Sequence, residues 1–258
     1  MDCFSLDLDG VSVDYVEAGE GIPVLYVHGN TGSLRWWERV MVLPGARTVA
    51  LDLPNFGGSG PLSGEISIER YADAVAAFIA AMGLDRPVLV GHSLGGAVVL
   101  SLTARWPALA RGLVLVDSAP PSGFRTPEER HPAIETMRTN PQVLAAALRA
   151  VVPTLKDEAF FAALVEDARR MAAPAWIGNA VALGKLDLGG ALGAFTAPVL
   201  VIHGGKDVII SAEMAAQTAR AFPEARLVEI GEVGHSVIVE DPARFLALMR
   251  DFLSSLPR

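Results

Sequence analysis

A single cysteine, Cys3, stands among the 258 residues, so no disulfide can form within the chain. No apolar run reaches the roughly 18 residues that a membrane span needs. Met1-Asp2-Cys3-Phe4 lacks the basic and apolar regions of a signal peptide, and a cytoplasmic location is the expectation. Cations are in the minority: 21 Lys and Arg against 29 Asp and Glu leave a net charge of −8. That balance excludes a nucleic-acid partner as the reading, because phosphate backbones are held by clustered cations. It equally disfavours anionic lipid headgroups. Cofactor signatures are missing as well. Gly58-Ser59-Gly60-Pro61-Leu62-Ser63 lacks the third glycine of G-x-G-x-x-G, and no G-x-x-x-x-G-K-[S/T] occurs. With no H-E-x-x-H and no cysteine pair, neither a metal nor any other cofactor is expected.

What the chain does have is apolar content. Hydrophobic residues make up 51% and charged residues 19%, enough for one large buried core. Apolar, β-branched runs alternate with helical patterns, the mark of a mostly parallel sheet with helices on both faces. Segments 4–8 and 11–16 alternate in polarity around Asp9-Gly10 and predict an antiparallel hairpin at the sheet edge. Further strands are predicted at 23–27, 48–51, 87–90, 112–116, 198–202 and 226–230. Helical patterns fall at 34–42, 68–82, 94–106, 212–222 and 242–253, the last opened by Asp241 and Pro242. Between Asp117 and Pro198 the alternation stops. A structureless connection of that length is improbable in a compact domain. The stretch carries helical periodicity at 142–152, 157–171 and 175–183, which predicts a helical insertion over the strand ends.

Gly91-His92-Ser93-Leu94-Gly95 fits G-x-S-x-G, a weak pattern alone. Its flanks sharpen it, since an apolar strand runs into it and a small-residue helix leaves it. Such a turn lifts a serine hydroxyl above the sheet and sets the following N–H groups beside it. Serine needs a neighbouring base to become a nucleophile. His28 and His203 lead into glycine turns and suit loop shaping, and His131 lies beside Pro132 in the insertion, where a surface role fits. His92 adjoins the serine but points to the other face. His235, in Gly231-Glu232-Val233-Gly234-His235 after the last strand, is the expected base. Its orienting carboxylate is Asp207, beyond the strand 198–202, with Asp117 as the rival. Oxyanion donors are expected from the backbone N–H groups of Leu94 and Asn30, the latter in His28-Gly29-Asn30-Thr31-Gly32. Thr31, Trp36 and Trp37 are candidates for the substrate pocket, although core packing is the commoner fate of such a Trp pair.

Together these motifs resemble the α/β-hydrolase superfamily along nearly the whole chain, in the serine esterase and lipase-like branch with a helical cap. The resemblance rests on His28-Gly29, Trp37, the loop 52–59, the segment 91–96, the segment 204–207 and Gly234-His235. It implies an eight-stranded, mostly parallel sheet with the cap inserted after strand 6. Residues 1–118 and 190–258 would form the core and 119–189 the cap. The order Ser93, Asp207, His235 is that of the family. Asn55 departs from the usual glycine of its loop, and asparagine is the next residue to tolerate a left-handed turn. Ser93 stands where related epoxide hydrolases and dehalogenases carry a carboxylate. Leu94 stands where many C–C bond hydrolases and perhydrolases carry Met, which disfavours both activities. The expectation is a cofactor-free esterase acting on small to medium apolar esters. A lactonase using the same groups, or a small-molecule receptor on the same fold, stands as the alternative.

Overall fold

The computed structural model describes residues 2–257; Met1 of the N-terminal reading and Arg258, the last residue of the expected core, lie outside it. Strands β1 (Phe4–Leu8) and β2 (Val11–Ala18) pair antiparallel, and Asp9 and Gly10 turn between them at φ 51° and 88°. Those two positive φ values are what a two-residue hairpin of matching twist requires. Strands β3 (Ile22–Val27), β4 (Ala46–Leu51), β5 (Val88–His92), β6 (Gly112–Val116), β7 (Val199–Gly204) and β8 (Ala225–Ile230) follow. The eight strands form one sheet in the order β1-β2-β4-β3-β5-β6-β7-β8, parallel from β4 to β8. Strands β5, β6 and β7 are buried throughout, which is why they read as unbroken apolar runs.

Strand order decides where a site can form. β3 runs out to β4 on one side, whereas β5 runs on to β6, β7 and β8 on the other. The carboxyl ends of β3 and β5 therefore diverge into opposite loops, and the gap between them is the topological switch point where open α/β sheets bind ligands.

Helices α1 (Ile68–Ala81) and α2 (Leu94–Arg105) pack on each other against one face of the sheet. Between β6 and β7 lie α3 (His131–Thr139), α4 (Pro141–Val151), α5 (Glu158–Ala168) and α6 (Ala173–Lys185). Helix α7 (Ala212–Arg220) joins β7 to β8, and α8 (Val237–Glu240) and α9 (Pro242–Ser255) end the chain. Two expectations need correction. The segment 34–42 is a 3₁₀ helix over Leu34–Val40, opened by Ser33, whose hydroxyl accepts from Arg35 N–H. Its buried Trp37 and Val40 stand three residues apart, the repeat of that tighter helix, and Trp36 is buried beside them. Helix α3 adds to the expected helices; it is short and buries no residue fully, with Ile134 and Met137 resting partly buried against the core.

Trp37 is fully buried and stacks on Tyr26 at 4.6 Å, with Phe245 of α9 at 6.2 Å. It belongs to the core and not to a substrate pocket, because no part of it reaches solvent. Trp37→Ala should cost about 3–5 kcal/mol in a denaturant titration, the usual loss for an aromatic-sized core cavity. A loss below about 1 kcal/mol would contradict this placement.

Candidate active site

Ser93 sits between β5 and α2 at φ 53°, ψ −116°, a conformation that L-residues seldom adopt. Its surroundings hold it there. The N–H of Ser93 donates to Val116 O at 3.0 Å, and its carbonyl accepts from Gly96, Ala97 and Ala119 at 3.0, 3.3 and 3.2 Å. A Cβ on Gly91 would lie 2.6 Å from Gly95 O, and one on Gly95 would lie 2.2 Å from Val27 O. Glycine is required at both positions because strand, turn and helix backbones pass this closely. The Ser93 hydroxyl makes no capping bond to α2 and is only half-buried.

His235 and Asp207 come together. His235 Nδ1 lies 2.7 Å from Asp207 Oδ2, with both side chains almost wholly enclosed. Asp207 Oδ1 accepts from the N–H groups of Ile209 and Ile210 at 2.7 and 3.1 Å, which fixes the carboxylate's direction. Burial alone would hold His235 below the usual histidine range, but the Asp207 bond and charge outweigh it and the pKa rises. Burial opposes ionisation of Asp207 as well, and the His235 bond and charge leave it below the ordinary carboxylate value. Both shifts favour the charged pair. With Nδ1–H committed to Asp207, Nε2 keeps its lone pair.

Asp117 is placed differently. Its Oδ1 accepts from Gly204 N–H at 2.8 Å and from His203 Nδ1 at 3.2 Å, so it braces the ends of β6 and β7. Its Oδ2 is buried without a partner, and burial pushes its pKa up. Asp117, His203 and Asp207 bring ligand atoms within 4.8 Å of one another and are the group that could hold a metal. The oxygens of Asp207 are already engaged by His235, Ile209 and Ile210, so a metal there would compete with the His235 bond.

The loop after β3 lies against this elbow, since a Cβ on Gly29 would meet Ser93 Cβ at 2.9 Å. His28 organises the loop. Its Nε2 accepts from Leu53 N–H at 3.0 Å, which leaves the proton on Nδ1 to donate to Gly29 O at 2.8 Å. Burial lowers its pKa to about 4, so it stays neutral. Among the described residues, the backbone N–H groups of Asn30 and Leu94 have no backbone partner, as donors reserved for an oxyanion would not. The Asn30 side chain is engaged elsewhere, for its Oδ1 accepts from Asn179 Nδ2 of α6 at 2.9 Å. Asn179 in turn accepts from Tyr71 O–H at 2.9 Å, and Tyr71 accepts from Asn55 Nδ2 at 3.1 Å. Asn30→Ala should therefore keep kcat within about tenfold of wild type, because the backbone donor survives. A fall approaching about 10²-fold would assign the donor to the side chain instead.

Thr31, at φ 56°, is partly exposed beside Asn30 and donates to its carbonyl at 2.6 Å. Trp36 stacks on His92 at 5.5 Å with its Nε1 buried and unpartnered. His92 does face this side: its Nε2 donates to His235 O at 2.9 Å, and burial drops its pKa to about 3. A cleft of about 480 Å³ opens elsewhere, lined by Cys3, Asp14, Asp52 and Arg170 among others, and includes none of the residues around Ser93. Within it Arg35 meets Asp167 at 2.7 Å, and Asp52 accepts from Leu34 and Gly58 N–H at 2.6 and 2.8 Å. The elbow is the better candidate, because His92 beside Ser93 bonds to His235 O at 2.9 Å and so ties the serine turn to the imidazole–carboxylate pair. Asn179 escaped sequence reading because no local pattern links residues 30 and 179.

Residues 24–248 match the model of the alpha/beta hydrolase family. The chain belongs to that family. Similar hydrolases include a 2-hydroxymuconate semialdehyde hydrolase of a Pseudomonas species, 28% identical over 95% of this chain and 91% of its own. A pimeloyl-[acyl-carrier protein] methyl ester esterase of Neisseria meningitidis is 30% identical over 90% of this chain and 77% of its own. Among solved structures, an esterase from a Rhodococcus species is 25% identical and superposes with a TM-score of 0.84, covering 100% of both chains. Among the described residues of this hydrolase, no helix is long and apolar enough to cross a membrane.

Proposed function

We propose that this hydrolase cleaves carboxylic esters through an acyl-enzyme, with Ser93 as nucleophile, His235 as general base and Asp207 as the orienting acid. The observation that carries the reading is the 2.7 Å His235–Asp207 bond, tied through His92 to a serine held at φ 53°. In the first step His235 Nε2 takes the Ser93 proton as Oγ attacks the carbonyl carbon. The Asn30 and Leu94 N–H groups receive the negative oxygen, and the helix they adjoin favours that charge. The protonated His235 then gives its proton to the leaving alcohol, and its positive charge is offset by Asp207. A water repeats the sequence to release the acid. Residues 119–189 serve as the cap over this site, with Thr31 at the pocket wall, while Trp36, itself buried, backs His92. The substrates are small-molecule esters; a methyl ester, there carried on an acyl-carrier protein, is what the Neisseria relative is named for.

A second reading has a specific observation behind it. 2-Hydroxymuconate semialdehyde, named for the Pseudomonas relative, is a carboxylic acid and aldehyde without an ester. Hydrolysing it must break a carbon–carbon bond, which weighs against setting that activity aside on Leu94 alone. A panel of p-nitrophenyl esters of graded acyl length, lactones and this semialdehyde separates the readings. Open-chain esters should show the highest kcat/KM. Preference for a lactone or the semialdehyde would overturn the substrate assignment while leaving Ser93 as nucleophile. Activity undiminished in Ser93→Ala would overturn the mechanism.

A further inference from the structure

The loop that carries His235 is bolted to the helical segment between β6 and β7, and one side chain makes most of the joint. Glu240, at the end of the single turn α8, faces back toward the loop. Its Oε1 accepts from Gly234 N–H at 2.9 Å and from Ser236 N–H at 3.2 Å, the amides on either side of His235. Its Oε2 accepts from Thr154 N–H at 3.1 Å and from Thr154 Oγ1 at 2.5 Å, in the link between α4 and α5. Four donors fill the acceptor sites of one carboxylate. The N–H of His235 itself donates to Val151 O at 2.8 Å. Three successive amides are thus held, two by Glu240 and one by the end of α4. The fit leaves no slack, since a Cβ on Gly234 would stand 2.4 Å from Pro153 Cδ.

We propose that Glu240 is a positioning residue that couples docking of the α4–α5 segment to the placement of His235. This rests on His235 acting as the base. When the segment 151–154 lifts, two Glu240 acceptor sites and the Val151 contact are lost together, and the histidine loop loses the support that aims its ring. When substrate binding presses the segment down, the same bonds set the imidazole. A displacement of about 1 Å is enough to cost about 10²-fold in rate, so a joint of this kind governs turnover without touching substrate.

The charged and titratable groups facing His235 are Asp207 after β7, Asp117 after β6, His92 on β5 and Glu240 on α8, while the segment 151–154 has none. Of these, Asp207, Asp117 and Glu240 favour the protonated ring.

The test uses p-nitrophenyl butyrate hydrolysis by the full chain across pH. Glu240→Gln keeps the shape but removes the charge and one acceptor oxygen. It should lower kcat by about 10- to 10²-fold with little change in KM. It should also move the acidic limb of kcat/KM to lower pH. Thr154→Val, which keeps the charge and the Thr154 N–H bond, should lower kcat less and leave the limb in place. The double variant should fall no further than Glu240→Gln alone, because both act through one joint. Wild-type kcat and an unmoved limb in folded Glu240→Gln would overturn the proposal, as would additive effects in the double variant. Should Glu240→Gln fail to fold, an unchanged kcat in Thr154→Val would overturn it. Failure of the base assignment shows separately, as activity that survives His235→Ala.

Discussion

Ser93→Ala should abolish hydrolysis of p-nitrophenyl esters, lowering kcat by about 10³-fold or more, while the protein stays folded. The size of the effect follows from chemistry, since removing Oγ removes the covalent route and leaves only binding and the oxyanion donors. The intact fold follows from geometry. The Ser93 hydroxyl caps nothing in α2, so its loss leaves no buried partner stranded. Alanine keeps the Cβ and meets the same strained backbone at φ 53°, which is held by Val116, Gly96, Ala97 and Ala119. Circular dichroism and a thermal melt should match wild type. A folded Ser93→Ala retaining a tenth of the activity would exclude serine as nucleophile.

Asp207→Asn should lower kcat by about 10³- to 10⁴-fold, and Asp117→Asn by far less. Asparagine at 207 still occupies the space, but its amide can present N–H to His235 Nδ1. That turns the imidazole to the wrong tautomer and removes the charge that offsets the imidazolium. Asp117 has no bond to His235; it holds Gly204 N–H and His203 instead. Asn at 117 can keep an oxygen toward Gly204 and removes only a charge that acts on His235 without a bond to it. Its effect should appear as a modest loss of stability at the β6–β7 ends. The opposite ranking of the two variants, with fold checked, would transfer the acid role to Asp117.

The sequence by itself determined the alternation of strands and helices, the edge hairpin at Asp9-Gly10, the elbow around Ser93 and the family. These are local features. A buried parallel strand must be apolar along its length, a tight elbow must have glycine where backbones meet, and a primed turn must have residues that tolerate positive φ. Each requirement is written within a few consecutive residues. Asp207 and Asp117 both follow predicted strand ends, and only the folded sheet gives a distance to His235. The Trp36–Trp37 pair could not be divided from sequence, since adjacent aromatics in one short helix look alike. The tertiary structure puts Trp37 against Tyr26 in the core and Trp36 against His92. The joints between Asn179 and Asn30, and between Glu240 and Thr154, join residues 149 and 86 positions apart. Such contacts leave no periodicity in the chain, because a single hydrogen bond constrains one pair of side chains and not a pattern. They exist only once the helices between β6 and β7 lie against the loops, and that docking is decided by packing across the whole molecule.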